Sequence, residues 1–365
     1  MNNGLKTVLG AAICVAALAF LVASQGGART LSFGAILPLS GANERVGKAE
    51  EAGLSIAEEK LEMFFEEGNL RVLVRDSEIS PDVGASVAKD LVEKENINAL
   101  FSSMSVVTAG VSEVARENEV PMFYDSCNCG FAQANPYALQ LFLDPRKECK
   151  QVAEDFYLKA SVSAIGREYP LTAAYVGQEV PYANFCIDAV KETEFSVLVE
   201  KDVEGIARPY EALFTSWKAQ GVSFIVSIPP SAYIVEILEA NETSGAQIPF
   251  YCAASQCLTD DIVSQVSPEA LKNVTAFDFQ IREEFIEEIQ LKIGKKILSR
   301  DEIVGAAVAH DALVYAATAA SRCGEASVAC IQKNATHPLI PLAIVSEGFD
   351  EGRILKYTTA YTTPK

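Results

Sequence analysis

Histidine and tryptophan are nearly missing from this chain, which has two His and one Trp among its 365 residues. Two imidazoles leave little material for a Ser-His-Asp or Cys-His site, where a histidine must stand beside the nucleophile. His337 precedes a proline near the chain end, and His310 is followed by Asp311. Adjacent helical positions point in different directions, so that pair is not expected to act as an acid-base dyad. Positive charge is scarce as well: 30 Lys and Arg stand against 49 Asp and Glu. A surface of that sign repels nucleic acid and anionic membranes, which excludes both as partners. The nine cysteines include no tetrad at CxxC-like spacing, so no zinc centre is expected. Glu283, Glu284, Glu287 and Glu288 read as a solvated helix face rather than a cation site. No catalytic residue, metal or cofactor is assigned. Low-complexity linkers and short repeats are also lacking, as is any membrane-helix pattern beyond the first 28 residues.

A nucleotide loop is excluded next. In LSFGAILPLSGANERVGKA, residues 31–49, an apolar run enters a glycine turn and a Gly-Lys pair follows. A phosphate-binding loop has four residues between its glycines and a Ser or Thr after the lysine, whose hydroxyl holds Mg²⁺. Five residues separate Gly41 from Gly47 here, and Ala49 follows Lys48.

What is present begins with an export signal. Lys6 precedes an uncharged run from Thr7 to Val22, and Gly26 and Ala28 supply small residues for a signal peptidase. The run is short for a membrane span, so residues 1–28 are expected to be a cleaved signal peptide, with a retained anchor as the alternative. This places the mature chain in the periplasm or outside the cell. Removing 28 residues from 365 leaves 337, more than one hydrophobic core usually supports, and two lobes are expected. Loss of Lys6 takes the net charge from −19 to −20.

Eight cysteines follow the signal, an even number that favours disulfides in an exported protein. Cys252 and Cys257 flank a short loop and Cys323 and Cys330 another, so each pair is expected to close locally. Cys127 and Cys129 are too near for an easy mutual bridge, and Cys149 is a candidate partner for one of them. The connectivity of Cys127, Cys129, Cys149 and Cys186 stays open.

Strand and helix patterns then alternate, the signature of parallel sheets flanked by helices. LSFGAIL, LRVLVRD, INALF and VPMFY read as strands of a first series; Ser80 and Pro81 open a helix there, as an N-cap and a first-turn proline. Residues 125–145 look irregular. A second series contains the strands LTAAYVG, FSVLVE, VSFIVSI, IPFYCA and NVTAFDF, and an alanine-rich helix spans 302–322. Trp217 shares a helix stripe with Leu213 and reads as core.

Five segments, LSFGAILPLSG, FSSMSVVTAGVSEVARENEVPMFY, YVGQEVPYANFCIDAVKE, GAAVAHDALVYAATAA and GFDEGRILKYTTAYT, stand in an order that resembles the type I periplasmic binding proteins. The similarity is greatest to the branched-chain amino-acid and amide group that feeds ABC importers. It implies an α/β fold of two lobes, each a mainly parallel sheet flanked by helices, joined by three crossovers. Lobe 1 would comprise 29–145 and 279–338, and lobe 2 would comprise 146–278 and 339–365. It further implies a monomer that holds a small polar or amphiphilic solute, amino-acid-, amide- or carboxylate-like, in the interlobe cleft and hands it to an ABC permease, with an oxygen-bearing head group expected on the first-lobe donors Ser105, Ser126 and Asn128; a ligand-sensing domain for a signalling partner is the alternative.

Carried across position by position, the resemblance implies ligand contacts at Val46, at Ser105 and Val106, and at Ser126, Cys127 and Asn128. Tyr182 would pack on the ligand from the second lobe, with Ser231 in a further loop. Amino-acid binders of the group carry an acid where this chain has Ala254 and Ser255, and one hydroxyl is replaced by Val106. Burying an unpaired ammonium is costly, so a branched-chain amino acid is expected to bind weakly unless Glu179 or Asp260 substitutes.

Overall fold

The computed structural model describes residues 30–126, 128, 130–163, 171–177, 181–193, 195–200, 210–228, 233–253, 257, 260–357 and 359–362, and the expected signal segment lies outside them. The first series folds as β1 (Leu31–Leu37), α1 (Glu44–Leu61), β2 (Leu70–Asp76), α2 (Pro81–Glu93), β3 (Ala99–Ser103), α3 (Ser105–Glu117), β4 (Met122–Asp125), α4 (Gly130–Ala134) and β5 (Ala138–Gln140). These strands form one parallel sheet in the order β2-β1-β3-β4-β5. β1 and β3 are buried on both faces because helices cover both sides. Ser80 accepts the Val83 N–H and Pro81 fills the first helical position, as the sequence predicts.

The second series supplies α5 (Pro145–Ser163), β6 (Leu171–Gly177), α6 (Pro181–Lys191), β7 (Phe195–Glu200), α7 (Tyr210–Ala219), β8 (Val222–Ile228), α8 (Ile234–Thr243), β9 (Phe250–Cys252), α9 (Asp260–Gln265), α10 (Pro268–Leu271) and β10 (Val274–Phe279). The chain then returns to the first sheet with α11 (Glu283–Ile293), α12 (Arg300–Cys323) and α13 (Val328–Asn334). A small hairpin, β11 (Ser346–Phe349) and β12 (Leu355–Tyr357), and a last strand, β13 (Thr359–Thr362), complete it. The second sheet runs β13-β10-β9-β8-β6-β7, parallel except for β13. The fold is therefore two-lobed, and the chain crosses between sheets three times: after β5, after β10 and after β12.

Each crossing contributes one aromatic ring to a common contact. Phe142 meets Phe279 edge to face at 5.6 Å between centroids, and Phe279 meets Tyr357 in the same manner at 5.1 Å. The Tyr357 hydroxyl accepts the Asp144 N–H at 2.8 Å.

Several expectations are corrected. Residues 125–145 contain α4 and β5, and α5 follows without having been foreseen; its apolar stripe is interrupted by charged residues. The stretch 339–365, expected in lobe 2, divides: Ile340, Leu342, Ile344 and Leu355 pack into the core beneath the first sheet, and only β13 joins the second. The β11–β12 hairpin folds back there because Tyr315 on α12 hydrogen-bonds Ser346 at 2.8 Å. Cys149 pairs with Cys186, not with Cys127 or Cys129, because α5 and α6 pack side by side and set their Cα atoms 5.2 Å apart. Cys252–Cys257 and Cys323–Cys330 are bridged as expected. His310 and Asp311 do meet, Nδ1 to Oδ1 at 2.7 Å, and both are buried. Asp311 also accepts the N–H groups of Ala343 and Ile344, so the pair anchors a returning chain segment.

α12 is long and apolar enough to cross a membrane, yet it is buried within the first lobe. It lies against α1 at very short range. A Cβ on Gly53 of α1 would stand 2.1 Å from the Ala306 carbonyl oxygen, and one on Gly305 would press on Val46 and Glu50. Small residues on both helices thus set where α12 begins, beside the carboxyl edge of the first sheet.

Candidate functional site

Open parallel sheets bind ligands at the carboxyl ends of their strands, where following helices present unpaired N–H groups. A cavity of about 230 Å³ lies at that edge of the first sheet. Ser105, Asp125 and Ser126 line it from the ends of β3 and β4, Val46 from α1, and Arg300 and Asp301 from the start of α12. Met104, Phe142 and Gly305 complete its apolar wall.

Met104, between β3 and α3, has φ 68°, a left-handed conformation that strains a side-chain-bearing residue. Thr108 holds it there: both its backbone N–H and its hydroxyl donate to the Met104 carbonyl at 2.9 Å. The Met104 sulfur accepts from Asn43 at 3.3 Å. At the same turn the Ser105 and Ser126 hydroxyls share a hydrogen bond of 2.6 Å, and Ser126 also accepts the Asn128 N–H at 3.1 Å.

Charge enters through α12. Ser299 caps the helix in a reciprocal box with Glu302, its hydroxyl accepting the Glu302 N–H and its own N–H donating to the Glu302 carboxylate. Burial opposes the Glu302 charge, but hydrogen bonds from Ser299, Arg45 and Lys295 hold its pKa down to about 2. Arg300 points across to the second sheet and grips Asp278 of β10, Nε and Nη2 each 2.7 Å from a carboxylate oxygen. Its Nη1 lies 3.3 Å from Asp301. Burial disfavours the charged guanidinium, yet Asp278, with Asp301 and Glu148, keeps its pKa above the ordinary value.

Among the described residues Asp125 has no comparable partner. Burial, then repulsion from Asp301, pushes its pKa up to about 7 against the pull of Arg300. Behind the wall, the fully buried Glu50 accepts from Ser103 at 2.6 Å through one oxygen, and its other oxygen has no hydrogen bond. Burial and the neighbouring Asp125 raise the Glu50 pKa well above the usual carboxylate range. On the second lobe, Glu148 in the first turn of α5 accepts from the hydroxyls of Tyr182 and Tyr251, the latter at 2.7 Å.

The structure brings Val46, Ser105 and Ser126 together around the cavity. Asn128 instead closes its own turn, donating to Ser126 and accepting from Gly130. Val106 is turned outward and 46% exposed. Tyr182 is buried among second-lobe apolar residues with its hydroxyl on Glu148. Cys127, Ser231, Ala254, Ser255 and Glu179 lie outside the described residues, and Asp260 begins α9. Sequence reasoning missed Asp125, Arg300, Asp301, Glu50 and Glu148. Only Asp125 left a signal, as an acid ending an apolar strand; the others are acids and bases on helices, indistinguishable from surface charge. The arrangement can hold one small polar molecule by hydroxyls, carboxylates and a half-apolar wall.

The family model described as periplasmic binding protein matches residues 30–333. No curated protein sequence matches the chain. Among solved structures it is similar to a leucine-binding protein from Thermotoga maritima, at 16% identity and TM-score 0.66, covering 92% of this chain and 98% of that one. A branched-chain amino-acid transporter substrate-binding protein from Streptococcus pneumoniae in complex with isoleucine is 18% identical, with TM-score 0.67 and coverages of 92% and 96%. A solute-binding protein of an ABC transporter from R. palustris, in complex with 4-hydroxybenzoate, is 13% identical, with TM-score 0.65 and coverages of 92% and 92%.

Proposed function

Since the chain belongs to the periplasmic binding protein family, we propose that it is an extracytoplasmic solute-binding protein, capturing one small polar or amphiphilic solute between its lobes for an ABC importer. The observation that carries this reading is the cavity at the carboxyl edge of the first sheet, where Ser105 and Ser126 meet at the start of α3 and Arg300 reaches over to the second lobe. The three crossings act as the hinge, and Phe142 places the cavity next to it. Two solved relatives carry isoleucine and 4-hydroxybenzoate respectively, so the fold accommodates both aliphatic and aromatic solutes.

Small-angle scattering tests hinge closure. A solute that raises the melting temperature is expected to reduce the radius of gyration as well, because tight binding to the native state stabilises it. An unchanged radius at saturating solute would sink the closing motion. Leucine, isoleucine and valine are expected to bind weakly, since Ala254 stands at the second-lobe position where amino-acid binders of the group carry an acid; sub-micromolar leucine binding by calorimetry overturns that expectation.

A further inference from the structure

The formal charges on the cavity wall are Asp125, Asp301 and Arg300. The Arg300 guanidinium is already engaged, with two nitrogens on Asp278 and the third near Asp301. It has little left to offer an incoming anion. Asp125 is the opposite case: its carboxylate takes no hydrogen bond or ion pair from any described residue, although it lines the cavity. Glu50, buried directly behind Gly305 of the wall, adds a second acid with an oxygen left unpartnered.

We infer that the solute proposed above carries a cationic head group, a primary ammonium or an amidinium, seated on the first lobe between Asp125 and Asp301. The inference rests on the solute-binding reading and narrows it. A carboxylate in this position faces two acids, and the amino end of α3 offers in return only about half a positive charge. An ammonium meets an unsatisfied acceptor in Asp125 and, in Asp301, a half-exposed carboxylate that Arg300 engages through one oxygen. Around them the Met104 sulfur and the Phe142 ring form a polarizable wall suited to a cation. The chain-wide excess of negative charge, −19 before processing, draws cations toward the cleft and repels anions. Among the described residues no three acidic, His or Cys side chains converge to ligate a metal, which favours an organic cation. Sequence and family position pointed the other way, to a carboxylate or amide oxygen on Ser105, Ser126 and Asn128, because the resemblance put the acid in the second lobe, where this chain has Ala254.

Calorimetry and thermal shift at pH 8 on the exported full chain decide the matter with shape-matched probes of four charge classes. These are 3-methylbutylamine and benzamidine as cations, 4-methylpentanoate and benzoate as anions, 4-methylpentanamide and benzamide as neutral compounds, and leucine as the zwitterion. A cationic member is expected to bind at least tenfold more tightly than its anionic and neutral counterparts. Asp125→Asn is expected to weaken that binding at least tenfold, and Asp301→Asn to weaken it less, each variant keeping the wild-type scattering profile. Cation binding untouched by Asp125→Asn overturns the assignment. Binding by anionic, neutral or zwitterionic probes alone overturns the cationic head and leaves the solute-binding reading standing; no binding in any class overturns both.

Discussion

At the scale of single residues, the first lobe stores its electrostatic tension in two acids, Asp125 and Glu50. Both have folded-state pKa values above those of an unfolded chain, the first at about 7. A raised acid pKa means that the native state binds the proton more tightly, so its penalty is absent below about pH 4 and grows as the pH climbs toward 7. Asp301, Arg300 and Glu50 are the charged groups acting around Asp125, and only Arg300 favours its ionised form. For Asp125 the full penalty is at most about 4 kcal/mol. Without solute, Asp125→Asn is therefore expected to melt a few degrees above the wild type at pH 8, the gap closing by pH 4. A melting difference that stays constant across that range would show that the carboxyl is not strained. Position along the chain made Asp125 visible, since it ends an apolar strand, but its lack of a partner was not legible. Hydrogen bonding depends on which side chains arrive from elsewhere, and Arg300, 175 residues later, arrives already occupied.

Elements show the same division of information. The alanine-rich pattern located α12 within two residues, and the Ser80–Pro81 start of α2 was read correctly. Gly41 has φ 76° and turns the chain, whereas Gly47 lies inside α1, where a Cβ would stand 2.2 Å from the Pro38 carbonyl oxygen. In an exposed helix interior Gly→Ala stabilises by about 0.5–1 kcal/mol. At Gly53 the new methyl would meet the Ala306 backbone oxygen at 2.1 Å, and backbone cannot step aside as a flexible side chain does. Gly53→Ala is expected to destabilise by roughly 1–3 kcal/mol, read as a lower urea midpoint with an unchanged slope. A midpoint at or above that of the wild type would mean that α12 yields, and the placement of Arg300 and Asp301 with it.

For the whole molecule the decisive contact is the ion pair between lobes. Arg300 belongs to the first lobe and Asp278 to the second sheet, and their side chains are only 14% and 21% exposed. Removing one partner of a buried pair leaves the other charge uncompensated, at about 3–5 kcal/mol. Asp278→Asn is expected to lose somewhat less, roughly 2–3 kcal/mol, because the amide still accepts one bond and the site is partly wet; a melting curve superimposable on the wild type would show that the pair does not join the lobes. Three disulfides among the described residues staple the same architecture, and the one with the longest span, Cys149–Cys186, was left open by the sequence. Local pairs such as Cys252–Cys257 were legible because a short loop constrains its own ends, while a span of 37 residues leaves the partner to helix packing. By itself the sequence determined the two series of alternating elements, the two-lobed α/β class, the exclusion of nucleotide and zinc motifs, and the family. The first three are properties of local periodicity, composition and spacing, and the family rests on the resemblance of five ordered segments. Only the tertiary structure decided which charges face the cavity, which of them are already paired, and which lobe claims the residues after 339. Each of those outcomes depends on contacts between segments distant in the chain, and nothing in the local pattern of either segment encodes its partner.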